Sequence, residues 1–256
     1  MKKLLTALAL GSTLTAAAYA QRPQTDRDFD GLKGPVKSVT DETAALKKRG
    51  KRYVEERRVL SERKTYNADG NFAETESYDE VRGTLFDKAV FSYVGGEQIA
   101  TGQRAFPLIT IEPGLAATGP GGSQPAAPPS PPGAMYSYTE KFKYEYDAKG
   151  YRKEMTIESG GRVGHRVVYE FKGDRKETRW YEGDNLTVHV VERFDARGEP
   201  AETTGLDNET GAVTYKSSYT AYEFDARGNW VKRLKTVSAK GEPAEREVEY
   251  RTITYF

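Results

Sequence analysis

The side chains able to do chemistry are few and scattered. The chain holds two histidines, His165 and His189, and no cysteine. His165 alternates with Val163 and Val167, and His189 lies between Val188 and Val190. Neither belongs to an H-x-H or HExxH spacing, so both read as strand residues rather than metal ligands. The lack of cysteine excludes disulfides, thiolate metal sites and a thiol nucleophile. No G-x-S-x-G elbow offers a serine nucleophile. Gly160-Gly161-Arg162-Val163-Gly164 is glycine-rich, but it joins two strand-like runs with no helix behind it, which makes it a turn rather than a phosphate cradle. Glu140, Glu154, Glu158, Glu170 and Glu177 are the carboxylates from which a glycoside-cleaving pair could be drawn. They alternate with Lys and Arg, as in Arg175-Lys176-Glu177-Thr178-Arg179, the pattern of ion pairing across strands on a wet face. No catalytic, metal-binding or cofactor-binding residue is assigned.

The aromatic residues carry more. There are 17 tyrosines, 10 phenylalanines and two tryptophans. Aromatic rings on an open sheet face can stack sugar rings or partner side chains, and Tyr138, Tyr144, Trp180 and Trp230 are the candidates for that role. The competing use is packing: with few Leu and Ile, Tyr fills the buried face and keeps its hydroxyl wet.

These residues need strands to hold them. Tyr136–Tyr146 places Tyr136, Tyr138, Phe142, Tyr144 and Tyr146 on one face and Ser137, Thr139, Lys141, Lys143 and Glu145 on the other. Val163–Phe171, Tyr151–Ile157 and Val213–Phe224 alternate in the same way, so each predicts a strand with one packed and one wet face. Arg52–Lys64 reads as one long strand. The expected fold is all-β: antiparallel hairpin repeats forming an elongated twisted sheet or a partial solenoid.

A turn recurs between the strands. Tyr66-Asn67-Ala68-Asp69-Gly70-Asn71 returns as Tyr146-Asp147-Ala148-Lys149-Gly150-Tyr151, then as Phe194-Asp195-Ala196-Arg197-Gly198-Glu199 and Phe224-Asp225-Ala226-Arg227-Gly228-Asn229. Asp or Asn bonds its own backbone two residues on, and Gly supplies a positive φ. Asp69, Gly70, Asp147, Gly150, Asp195, Gly198, Asp225, Gly228 and Asn229 are thus structural turn residues. Gly161, in a looser glycine-rich connection, should tolerate substitution better than Gly228.

The aromatic-Asp-x-x-Gly-Asn turn resembles the YD repeat of RHS-type bacterial secreted and cell-surface proteins, most closely over Tyr222–Arg233. The resemblance covers roughly 53–96 and 136–256. It implies an exported, toxin-less member of that class built from β-hairpin units.

The first twenty residues read as a signal peptide: Lys2 and Lys3, an apolar run from Leu4 to Leu10, then Ala18-Tyr19-Ala20 as a cleavage site. Its removal takes the net charge from +1 to −1, too little basic excess for a nucleic-acid binder. No cysteine stands at the cleavage site to take a lipid anchor, and no apolar run long enough for a transmembrane helix follows it. The expected location is periplasmic or secreted. Residues 21–35 read as a flexible arm, 36–106 as a first β block, 107–135 as a linker, and 136–256 as a second β block. Pro113–Pro132 holds seven of the twelve prolines and should not pair in a sheet.

The leading expectation is a non-enzymatic envelope scaffold or binding module for a protein or polysaccharide partner. An outer-membrane β-barrel is the second reading, prompted by the terminal Tyr255-Phe256. Against it, strands such as Trp230–Lys235 carry Lys or Arg on both faces. A carboxylate-dependent hydrolase of a surface polymer is the third.

Overall fold

The computed structural model describes residues 23–79, 83–105 and 135–256. The proposed signal peptide and the proline-rich run lie outside the described residues. The chain begins with one helical turn, α1 (Asp26–Phe29), then β1 (Val36–Arg49), β2 (Arg52–Glu55), β3 (Val59–Tyr66), β4 (Phe72–Tyr78) and β5 (Leu85–Val94). It continues as β6 (Glu97–Ala105), β7 (Met135–Tyr146), β8 (Arg152–Ser159), β9 (Arg162–Lys172) and β10 (Arg175–Glu182). The last strands are β11 (Asn185–Phe194), β12 (Pro200–Leu206), β13 (Val213–Phe224), β14 (Trp230–Ala239) and β15 (Glu245–Tyr255). The run expected as one strand over Arg52–Lys64 breaks after Glu55. Its first part, β2, is a short outer ribbon paired only with the end of β1.

The remaining fourteen strands pair with their neighbours in sequence, all antiparallel, from β1 and β3 round to β15. β15 then pairs with β1, from Val36 opposite Tyr255 to Ala45 opposite Glu247. The sheet is a closed barrel. The expected open sheet or solenoid is therefore wrong. An open meander of this length would leave two strands with unpaired backbone groups, and closure removes both edges. The repeat hairpins are consecutive staves of one wall, not rungs of a spiral shell, so the emphasis on a secreted or periplasmic YD-repeat protein falls with the open sheet. The pairing of β6 with β7 also joins the two expected β blocks in a single wall.

Alternation decides which side chains face inward. Along β7, Ser137, Thr139, Lys141, Lys143 and Glu145 are exposed, while Tyr136, Tyr138, Glu140, Phe142 and Tyr144 are half-buried. The second set faces the lumen, because Phe142 and Tyr144 pack with Phe29 of the N-terminal segment against Met155, Ile157, Val167 and Tyr169. A second cluster joins Leu32 of the same segment to Val36, Val39 and Tyr66. Both clusters lie where that segment meets the wall. The outer face is ionic. Arg63, Glu76 and Lys88 stand opposite one another across β3, β4 and β5, and Lys143 bridges Glu97 and Glu158.

Candidate functional site: a plugged lumen

In an up-and-down barrel, alternate connections fall at the same end. The four turns of the repeated motif link β3 to β4, β7 to β8, β11 to β12 and β13 to β14, so all four stand at one rim. Gly70, Gly150, Gly198 and Gly228 take φ of +91°, +81°, +82° and +80°. Asp147, Asp195 and Asp225 each accept two backbone N–H groups within their turns. Asn67 uses its side-chain oxygen in the same way on Asn71, and Asp69 lies in the same turn. Gly161 also takes a positive φ, +77°, and Gly160 +58°. The expected tolerance at Gly161 is thus corrected: any side chain there meets the same backbone strain as at Gly228.

The turns have a second use that the sequence did not reveal. Residues 23–35, expected as a flexible arm, lie across this rim and plug it. Gln24 N–H donates to Gly150 O and Arg27 N–H to Gly70 O, both at 2.9 Å. Lys33 N–H donates to Asn229 Oδ1 at 2.7 Å, and Asn229 Nδ2 donates back to Lys33 O at 2.9 Å. The Lys33 ammonium reaches Glu199 at 3.1 Å and Gly228 O at 2.9 Å. The last residue of the motif, Asn229 in one turn and Glu199 in another, is what holds the plug. A signal was present: Thr25 and Asp28 form a capping box around α1.

Below the plug's surface sits a buried polar network. Asp26 is 1% exposed. Its carboxylate pairs with Arg152 and accepts from Phe72 N–H at 2.8 Å and from Tyr93 Oη and Gln98 Nε2 at 3.1 Å each. The Arg152 guanidinium also lies 4.3 Å from the centre of the Tyr144 ring. Tyr144 donates to Gln98 Oε1. Burial, with Arg152 opposing and Asp26 reinforcing, pushes the Tyr144 hydroxyl well above its ordinary pKa. Asp30 accepts from Tyr66 Oη at 2.6 Å and pairs with Lys64 at 3.4 Å. Lys64 stays charged: burial lowers its pKa, but Asp30 and Glu62 outweigh that.

Above the plug, the wall carries paired charges and rings. Arg233 and Arg251 lie 4.1 and 3.8 Å from the Trp230 ring centre. Arg233 pairs with Glu249, Arg251 with Asp41 at 2.8 Å, and Lys235 with Glu247 at 2.6 Å. Two cavities, of about 400 and 370 Å³, share Trp230, Arg233 and Arg251 as lining. On β5 to β7, Arg104 sits between Asp87 at 3.2 Å and Glu140 at 3.8 Å, and 4.5 Å from the Tyr138 ring centre. Burial and the Asp87 charge push the Tyr138 hydroxyl up to about 12.

All four ring residues singled out for stacking face the lumen. Trp230 is 5% exposed and Tyr144 is tied into the plug network, so packing uses both. Tyr138 is half-buried, and Trp180 keeps 36% of its surface open. Trp180 stands opposite Val167, which is fully buried in the lumenal core, and this fixes its inward direction. The two histidines part company. His165 faces inward, opposite Ile157. His189 faces outward and meets Glu177 at 2.7 Å, where Arg175 and Arg179 also converge. Burial raises the Glu177 pKa, but the His189 bond and the two arginines bring it below the usual carboxylate range. Among the described residues, no three His, Cys, Asp or Glu side chains are grouped to hold a metal ion.

The fold and site together define a plugged fourteen-stranded antiparallel barrel. No known family matches the chain, and no curated protein matches it. Among solved structures it is similar to a porin-like protein from Bacteroides uniformis, with a TM-score of 0.46 and 10% identity, covering 87% of this chain and 99% of that one. No helix among the described residues is long and apolar enough to cross a membrane, which says nothing of a barrel.

Proposed function

We propose that the chain is a β-barrel protein of the cell envelope that works as a one-ended binding cup. The closed barrel of the second sequence reading replaces the open scaffold. The observation that carries the proposal is the seating of residues 24–33 on Gly70, Gly150 and Asn229, which spans one rim, so that among the described residues the lumen is entered from the other end. The ionic outer face supports a barrel that stands in water. A lipid-facing Lys or Arg near the bilayer midplane costs about 2–4 kcal/mol, and the wall presents Lys88, Lys143, Arg166 and Lys216 on four different strands, each paired with a carboxylate. The lumen, with its rings and paired charges, is the binding surface.

Closure into an even number of antiparallel strands favours a second reading, an outer-membrane pore. Liposome flotation separates the two. The cup stays in the aqueous fraction without detergent; a barrel that floats with the vesicles and conducts ions across a planar bilayer is the pore.

A further inference from the structure

We propose that the lumen binds an uncharged oligosaccharide, stacked on Trp180 and Tyr215; this rests on the reading of the barrel as a cup. The first observation is exposure. Tyr66, Trp230 and Tyr169 are packed, at 3%, 5% and 8% exposed; other lumenal rings stay open, Tyr93 at 40% and Phe171 at 39% toward the plugged rim, and Trp180 and Tyr215 at 36% each toward the other end, with Val188 at 44% beside Trp180. Their direction is fixed by register. Trp180 lies opposite Val188, Val190 opposite Gly205, and Gly205 opposite Tyr215. The two rings therefore sit on one face, three strands apart, about 14 Å at the usual strand spacing. That is the reach of a short oligomer rather than of a single ring.

The second observation is how Tyr215 is held. Gly205 is not at a positive φ, so its backbone does not require glycine. A Cβ there would lie 2.1 Å from Tyr215 Cε1. The Tyr215 ring fills the space that a side chain at Gly205 would take, and 36% of Tyr215 stays exposed. At Gly102 a Cβ would meet Lys88 O at 2.3 Å as well as Tyr138 Cζ at 2.7 Å, so the backbone also requires glycine there.

The third observation is charge. The lumenal cations Arg104, Lys235, Arg233 and Arg251 each already face a carboxylate. An anionic ligand would have to displace one of these carboxylates and leave it uncompensated in a confined space. A purely apolar ligand would cover these polar groups without bonding them. A sugar does neither: its C–H face lies on an aromatic ring, while its hydroxyls donate to carboxylates and accept from guanidinium or ammonium groups without breaking the pairs.

The test is calorimetry on the mature chain with cellotetraose, maltotetraose and chitotetraose, with tetragalacturonate and a tetraleucine peptide for comparison. At least one neutral tetramer should bind and change the fluorescence of Trp180, one of only two tryptophans. Trp180→Ala and Tyr215→Ala should each weaken that binding by about tenfold or more, as the loss of a stacking surface implies, with thermal melts confirming that both variants fold. Gly205→Ala, which lifts the Tyr215 ring, should also weaken binding and serves if either alanine variant fails to fold. No neutral tetramer binding at millimolar concentration, tighter binding of tetragalacturonate or the peptide, or unchanged binding in all three variants would overturn the proposal. Flotation of the barrel with vesicles would instead overturn the cup reading beneath it.

Discussion

The carboxamide of Asn229 grips both backbone polar groups of Lys33, 196 residues away in sequence, donating to its carbonyl and accepting from its N–H. Asn229 is 2% exposed and also bonds Tyr255 Oη at 2.8 Å. One side chain thus ties the N-terminal plug, a rim turn and the final strand together. Asn229→Ala should cost about 2–3 kcal/mol, because it leaves a partly buried backbone donor and acceptor without partners. Asn229→Asp keeps the acceptor but sets a carboxylate oxygen against Lys33 O and beside Asp225, and should cost at least as much. Thermal or urea melts of the two variants check the order.

Asp26 and Arg152 make the buried anchor of the plug. Removing one partner, as in Asp26→Ala, should cost about 3–5 kcal/mol, since the other charge stays buried. The double variant Asp26→Leu with Arg152→Met should recover much of the loss. Equal destabilisation in the single and double variants, measured by chemical denaturation, would show that the charges are not the issue.

Gly228→Val should cost about 1–3 kcal/mol through backbone strain at φ +80°. Asp225→Ala loses more than one local turn bond, because Asp225 also accepts from Tyr255 Oη besides the Arg227 and Asn229 N–H groups. The two substitutions should therefore destabilise comparably. A neutral Gly228→Val in a melt would contradict the turn geometry.

Asp225 also sets an acid response. Burial pushes its pKa up, but the Tyr255 hydroxyl and the turn N–H groups bring it below the usual carboxylate range. Its folded pKa lies below its unfolded one, so its contribution is full above about pH 4 and is lost as pH falls through the folded pKa. Stability measured from pH 7 to 2 should drop more steeply at the acid end in the wild type than in Asp225→Asn.

Gly205→Ala should destabilise by about 1–3 kcal/mol, the usual cost of forcing an extra group into a packed site. Adding Tyr215→Ala should relieve part of that cost, because the ring is what the new methyl meets. Additive losses in melts of the two single variants and the double variant would place the strain elsewhere.

Much of the wall was legible in the sequence. The alternation at Tyr136–Tyr146 separated the lumenal face from the wet one, and the Asp-x-x-Gly pattern located the rim turns with their positive-φ glycines. Closure was not legible, because it depends on Val36–Ala45 meeting Glu247–Tyr255 across the whole chain, and short-range periodicity carries no information about which distant edges meet. The plug escaped for a related reason. Residues 23–35 are short and polar, and they hold their place through partners more than a hundred residues away, such as Arg152 and Asn229. Only the Thr25–Asp28 capping box hinted at local order. Tyr144 stands on the aromatic face that the alternation gives, and its use in packing follows from the plug; Trp230 shares its face with Arg233 rather than Lys232, because the β13–β14 register shifts beside it.

Amide hydrogen exchange on the folded barrel tests the plug most directly. If residues 23–35 close the rim, the N–H groups of Arg27 and Lys33, bonded to Gly70 O and Asn229 Oδ1, should exchange as slowly as amides in the wall strands. Exchange of both at the rate of an unstructured peptide would mean the rim is open, and would contradict the account.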